Sequence, residues 1–334
     1  MIPRIRSIRR VVSVPVPDQP ILSITPTADQ AAPVATANEV LHLSDHVRAQ
    51  IVQEKATCPF LGTAIATGNL AVRHDANNPL AGIDDVRKLG NSGGGDLGDL
   101  LVLFAQGNHA LMKGATGQLN QPAPQGLFSL ELPGSQGSHP GHSGILQGDP
   151  AVLGSGRLSE ADFQRLVGRA RDGLIKRSAV GGFIAENLLR DPASKVFGLS
   201  VTGLLARDLG QFVAQTGPAL MEKLTGSRES AAEAHRELFE KLTKLTGEDN
   251  IVGSAGEFGL LFAFLANKPG AKTIDGEPAL SVEDLRAMFV DKRFPAGWDA
   301  WKKTSLDWVV NTTGLLLSAG REYLRLKISN SLPP

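Results

Sequence analysis

Cysteine is nearly absent from this chain: Cys58 is the single one in 334 residues. An intramolecular disulfide is therefore excluded, and nothing in the cysteine usage points to an oxidising compartment. Excess charge is also missing, since 34 Lys+Arg stand against 34 Asp+Glu. That balance excludes nucleic-acid binding by bulk positive charge, because phosphate affinity comes from clustered Lys and Arg. No stretch reaches the roughly 18 uninterrupted apolar residues of a membrane span. The longest apolar stretches, 97–112 and 308–319, are broken by Gly, Asn, Gln or Thr. The arginine-rich opening MIPRIRSIRR runs into a proline-interrupted segment rather than a secretory apolar core. With one cysteine, that leads to the expectation of a cytoplasmic protein. There is no internal repeat of fixed period, and no flavin, ferredoxin or nicotinamide motif. The glycine run in NSGGGDLGD (Gly93–Gly95) lacks the Gly-Lys-Ser/Thr of a P-loop and the preceding strand of a Rossmann turn. It reads as a hinge at a helix start.

What is present is enough apolar sequence, 42% hydrophobic residues in 35.3 kDa, to build a sizeable core. Residues 1–43 are rich in Pro, Ala, Thr and Val without helical periodicity, and read as an extended arm. Residues 44–330 read as one mostly helical domain. Ser44 is a candidate N-cap for a helix through SDHVRAQIVQEK, and Pro59 suits the first turn of the next helix, where its missing N–H needs no partner. Further helices are expected over 60–68, 83–89, 96–112, 159–174, 178–190, 197–223, 228–246, 255–267, 281–291 and 300–327, the last with a break near Gly314. Ser159 with Asp162 and Ser281 with Asp284 resemble capping boxes. Segment 69–79 reads as a turn region. Residues 113–157, dense in Gly, Pro, Gln and Ser, form a long loop of the kind that often carries function. Strand signals are few, and the expected class is all-α.

Cys58 is the first chemical candidate. A lone cysteine is more often a small buried hydrophobe than a reactive group. Here it precedes Pro59 at a helix start, where free N–H groups and the helix dipole favour a thiolate. A thiolate so held can ligate haem iron.

Cys58-Pro59, the short helix after it and the segment NLAVRHD (with Asn69, Leu70 and Arg73) resemble the haem-thiolate peroxidases, the group of fungal chloroperoxidase and the unspecific peroxygenases. The similarity continues in order along residues 50–300. It includes the long apolar helix ending at Gly107-Asn108, then Gln147-Gly148-Asp149 followed by LSEADF, then Gly256-Glu257 before an apolar run, and Arg293-Phe294-Pro295. Residues 170–245 look partly like an insertion. The resemblance implies haem b with Cys58 as its iron ligand and Pro59, Gly148 and Asp149 beside it. It implies Glu257 as the distal acid-base toward bound peroxide. Hydrogen peroxide and a small organic substrate would be the reactants. The family's Mg²⁺ or Mn²⁺ site uses a Glu and a Ser. Here Gln147 and Ala151 stand at those places, and a hard cation prefers charged oxygen ligands. The expectation is that the cation site is lost. Some members also carry an Arg two helical turns before the Glu, where this chain has Asn250.

Blander readings stand beside these. Glu257 could be an acidic residue favoured at a helix N-terminus. His109, expected at the end of the apolar helix, is the rival haem ligand to Cys58. His139 and His142 are spaced for a metal but lack acidic neighbours. Trp298, Trp301 and Trp308 read as core anchors. Phe104, Phe128, Phe163, Phe258 and Phe262 are core by default and pocket-lining as the alternative. The charged stretch 228–244 reads as a solvated helix face. Two further readings remain: a haem-binding sensor or store without turnover, and a haem-free helical binding protein.

Overall fold

The structure is a computed structural model, and it describes residues 40–56, 58–74, 79–113, 118–119, 127–133, 145, 157–190 and 250–329. The chain divides into units 1–34 and 35–334. The first lies outside the described residues, so all that follows concerns the second. The expected helices 197–223 and 228–246 also fall outside them.

Helix α1 (Asp45–Glu54) starts as expected at Ser44, whose hydroxyl accepts the Val47 amide. Just before it, Leu41 donates its amide to the Val72 carbonyl. Helix α2 (Pro59–Ala66) opens with Cys58 as N-cap and Pro59 in the first turn, and six of its eight residues are buried. Within and just after the turn region expected over 69–79 lie two short strands, β1 (Val72–His74) and β2 (Pro79–Gly82). Helix α3 (Ile83–Gly90) follows, with acidic residues in its first turn and basic residues in its last, matching the dipole.

The apolar helix α4 (Gly98–Asn108) is shorter than its hydrophobicity suggests. It stops at the weak helix formers Gly107 and Asn108. His109 then begins strand β3 (His109–Lys113), because that segment pairs with a neighbouring strand. Strands β4 (Gln118–Leu119) and β5 (Leu127–Pro133) complete an antiparallel sheet of order β1-β2-β5-β3-β4. Both the helical end expected for His109 and part of the expected loop 113–157 are therefore sheet.

Helix α5 (Glu160–Val167), strand β6 (Leu174–Lys176) and helix α6 (Arg177–Arg190) lead to α7 (Asn250–Leu265). Strands β7 (Lys272–Ile274) and β8 (Glu277–Ser281) join β6 in a second small sheet, order β6-β8-β7. Ser281 caps α8 (Val282–Leu285) by accepting the Asp284 amide at 3.0 Å. A π-helix, Arg286–Val290, runs on directly, closed by the Asp291 amide on the Arg286 carbonyl at 3.0 Å. The last helix, α9 (Ser305–Ser329), passes through Gly314 without a break. The described residues are thus mostly helical with two small sheets, so the all-α expectation holds only roughly.

The core forms where α9 lies along α6 and α7. Phe163, Phe183, Phe258, Phe264 and Leu61 are fully buried there. The glycine run after α3 is a seat rather than a hinge. Gly93 has φ +67°, and a Cβ on it would stand 2.1 Å from the Trp301 carbonyl oxygen. The strap it receives is pinned by the Asp96 amide on the Lys303 carbonyl at 2.9 Å and the Ser305 amide on Asp96 Oδ1 at 2.6 Å. Lys303 is wholly buried beneath the strap, with Nζ bonded to the Trp298 and Trp301 carbonyls and 5.3 Å from the rings of Phe264, Trp298 and Trp301. Trp301 and Trp308 are buried core anchors, as expected, and Trp298 packs against the core partly buried. Trp301 Nε1 donates to the Phe264 carbonyl, and Trp308 Nε1 to that of Gly256.

Candidate functional site

Cys58 takes an extended conformation (φ −82°, ψ 115°) as it enters α2, and its residue surface is only 5% exposed. The helix turns at once, with the Gly62 amide on the Cys58 carbonyl at 2.9 Å. Phe60 is clamped between Phe264 (ring centroids 4.9 Å apart) and Phe294 (5.1 Å). Thr63, one turn on, donates to the Met288 carbonyl at 2.9 Å and ties α2 to the π-helix. These contacts fix the direction in which the helix start presents the sulfur.

Opposite stands α7. Glu257 lies in its second turn or later, half-buried, since the helix already runs from Asn250. An N-terminal dipole therefore does not account for this acid, because that effect fades within the first turn. Phe104 of α4 closes one side. Its ring edge rests on Gly256, where an added Cβ would come within 2.7 Å. Met288 and Phe289 of the π-helix close another.

Together Cys58, Pro59, Phe60, Phe104, Glu257, Phe258, Leu260, Leu261, Met288 and Phe289 line one cleft with a cavity volume of about 50 Å³. The lining is apolar except for one thiol and one carboxyl.

Burial pushes the Cys58 thiol up to about 12. The Leu61 and Phe60 amides pull it down, the Glu257 carboxylate raises it further, and Lys292 lowers it. The amides fall short of a formed capping hydrogen bond to the side chain, so their help is that of nearby dipoles. Cys58 as it stands is a neutral thiol. A coordinated metal would deprotonate it outright.

The sequence candidates sort clearly. Cys58, Pro59 and Glu257 meet in the cleft, joined by Phe104 and Phe258. Phe163 and Phe262 are buried core residues and do not line it. Arg73 pairs with Asp85 at 2.8 Å. His109 begins β3 instead of ending α4. Gln147, Gly148, Asp149, Ala151, His139, His142 and the stretch 228–244 lie outside the described residues. Among the described residues, no group of three or more His, Cys, Asp or Glu could hold a metal ion, and no helix is long and apolar enough to cross a membrane. Sequence reading missed Leu260, Leu261, Met288 and Phe289, which carry only an ordinary apolar pattern.

In donor chemistry alone, one soft sulfur at a helix start beside one acid in an apolar slot is the set a thiolate-ligated haem would use. No protein-family model, curated protein or solved structure matches the chain.

Proposed function

We propose that this chain binds haem b through Cys58 and uses hydrogen peroxide to oxidise or oxygenate a small organic substrate, in the manner of the haem-thiolate peroxidases. The observation that carries the reading is the convergence of Cys58 and Glu257 on one apolar cleft, from helices far apart in sequence. Cys58 would hold the haem iron, and the haem would supply the chemistry that activates peroxide.

The chain's own residues do the rest. Cys58 Sγ is held at the α2 start, where the Phe60 and Leu61 amides favour its anionic form. Glu257 would be the acid-base of the cleft, holding at its carboxyl a proton exchanged with peroxide. A carboxyl in a mostly apolar cleft can serve in both directions. Phe104, Phe258, Leu260 and Leu261 limit water around that acid. The substrate binds against the same side chains. A Mg²⁺ or Mn²⁺ site is not part of the proposal.

One observation favours a second reading. The thiol is neutral in an apolar cleft, as expected of a haem-free protein that binds an apolar ligand there. Haem titration separates the two. The first reading expects a stoichiometric Soret band that Cys58→Ala alters, and peroxide consumption that Glu257→Gln suppresses. Haem uptake with no peroxide turnover in the wild type would leave a sensor or store. No uptake would leave the apolar-ligand protein.

A further inference from the structure

We infer that the outward face of α9 is a self-association surface, on which a second copy of this chain docks antiparallel about a two-fold axis. The inference stands apart from the haem reading of the cleft.

The helix has two apolar faces where a surface helix normally has one. Packing accounts for the inward face. Trp308 and Thr312 face α7: Trp308 Nε1 donates to the Gly256 carbonyl, and an added Cβ on Gly259 would meet Thr312. Ser318 and Glu322 face α6, against Gly181 and Gly182. Leu315 and Ala319 are wholly buried. At about 100° per residue, the side of the helix opposite Leu315 carries Leu306, Val310, Thr313, Leu317, Gly320 and Leu324. None is charged, whereas the outer side of such a helix is normally polar. Val310 is 50% exposed and Leu317 54%, and the other four are part-exposed. A contiguous apolar stripe left at the surface marks an interaction site.

The spacing shows what the stripe is shaped for. Steps of four and three residues alternate from 306 to 324, the period at which one helix meets another along a seam. The seam is about 27 Å long. It also matches itself when reversed. An antiparallel copy related by a two-fold axis at the level of Leu315 brings Val310 against the copy's Gly320 and Thr313 against its Leu317. Large side chains thus meet small ones in the middle of the seam, and Leu306 meets the copy's Leu324 at each end. This is the isologous contact of a two-fold dimer.

The charges run in the same sense. The helix is acidic in its first turn, at Asp307, and basic in its last, at Lys327. Arg321 is exposed and lies near four full turns on from Asp307, on the same flank of the seam. Reversal sets Asp307 of each copy beside Arg321 of the other and opposes the helix dipoles. A parallel copy would set like charge beside like. The complementarity therefore selects a second, reversed copy as the occupant.

Sedimentation equilibrium of the full chain over a hundredfold concentration range tests this, with wild type, Leu317→Glu, Thr313→Lys and an equal mixture of the two variants. Wild type is expected to dimerise. Either substitution alone is expected to weaken association by about tenfold or more, because it puts an unpaired charge in the seam. The mixture is expected to recover it as a heterodimer, since residue 313 of one copy meets residue 317 of the other. A wild type that stays monomeric throughout, a dimer indifferent to Leu317→Glu, or a mixture no tighter than its components would overturn the inference. A monomer in which a Leu317→Cys thiol also resists alkylation would mean that the stripe is covered within the chain, and would overturn it equally. If the charged variants lose their fold, oxidation of a mixture of Thr313→Cys and Leu317→Cys decides: a mixed disulfide supports the register, and its absence overturns it.

Discussion

The contact between α7 and α9 holds Glu257 in place, and Gly259 is where it can be tested. An added Cβ there would stand 1.9 Å from Thr312 Oγ1 and 3.0 Å from Thr312 Cβ. Rotating Thr312 can move the hydroxyl but not its Cβ, and both residues are in helix interiors, so the helices must separate. Overpacking of a well-filled core costs about 1–3 kcal/mol, and replacing glycine by alanine in a helix recovers about 1 kcal/mol. A 1.9 Å approach lies far inside van der Waals contact, so taking the upper end gives a net loss of about 2 kcal/mol for Gly259→Ala. Thr312 Oγ1 is a buried hydroxyl without a hydrogen-bond partner. Thr312→Ala alone should be near neutral, because losing a buried methyl, about 1 kcal/mol, is offset by removing an unsatisfied donor. In the double variant the hydroxyl clash is gone, and at least half of the loss should return, as a coupling energy of about 1 kcal/mol or more. Urea denaturation at constant m-value measures all four proteins. Gly259→Ala as stable as wild type, or additive effects in the double variant, would refute the close helix contact.

Other expectations follow from the same geometry. Glu257→Gln should keep haem content while lowering peroxide turnover by about a hundredfold or more, the usual share of a general acid-base; unchanged turnover would remove Glu257 from the chemistry. Gly93→Ala and Gly94→Ala both place a side chain at positive φ, +67° and +74°, but only Gly93 faces backbone, the Trp301 carbonyl, while Gly94 faces open space. Gly93→Ala should be the more destabilising by about 1–3 kcal/mol, and equal losses in chemical denaturation would mean the strap does not sit there. The folded Cys58 thiol, pushed up to about 12, returns to about 9 on unfolding. A raised value favours the protonated form in the fold, so this stabilisation is complete below pH 9 and disappears as pH climbs toward 12. The haem-free wild type should therefore lose more stability across that window than Cys58→Ala, and parallel pH profiles would contradict the burial of the thiol.

Capping chemistry carried the legible part of the fold. Ser44, Pro59 and Ser281 each mark the helix start that their side chains dictate. The strands escaped because β1 has three residues and β4 two, too few for alternation to register. The early end of α4 escaped for another reason: an apolar run reads as helix until pairing with a distant strand competes for its backbone, and that partner is set by tertiary structure. At the candidate site, the order of motifs singled out Cys58 and Glu257, and both line the cleft. Gly93–Gly95 showed its flexibility in the sequence but not its purpose, which is close approach to a strap some two hundred residues later.

The most direct measurement is the ferrous–CO difference spectrum of the haem-supplemented protein, wild type beside Cys58→Ala. A Soret band at the long-wavelength position of thiolate-ligated haem, lost in Cys58→Ala, is the predicted result. A histidine-type band that persists in Cys58→Ala, or no haem uptake at all, would contradict the assignment of Cys58 as the iron ligand.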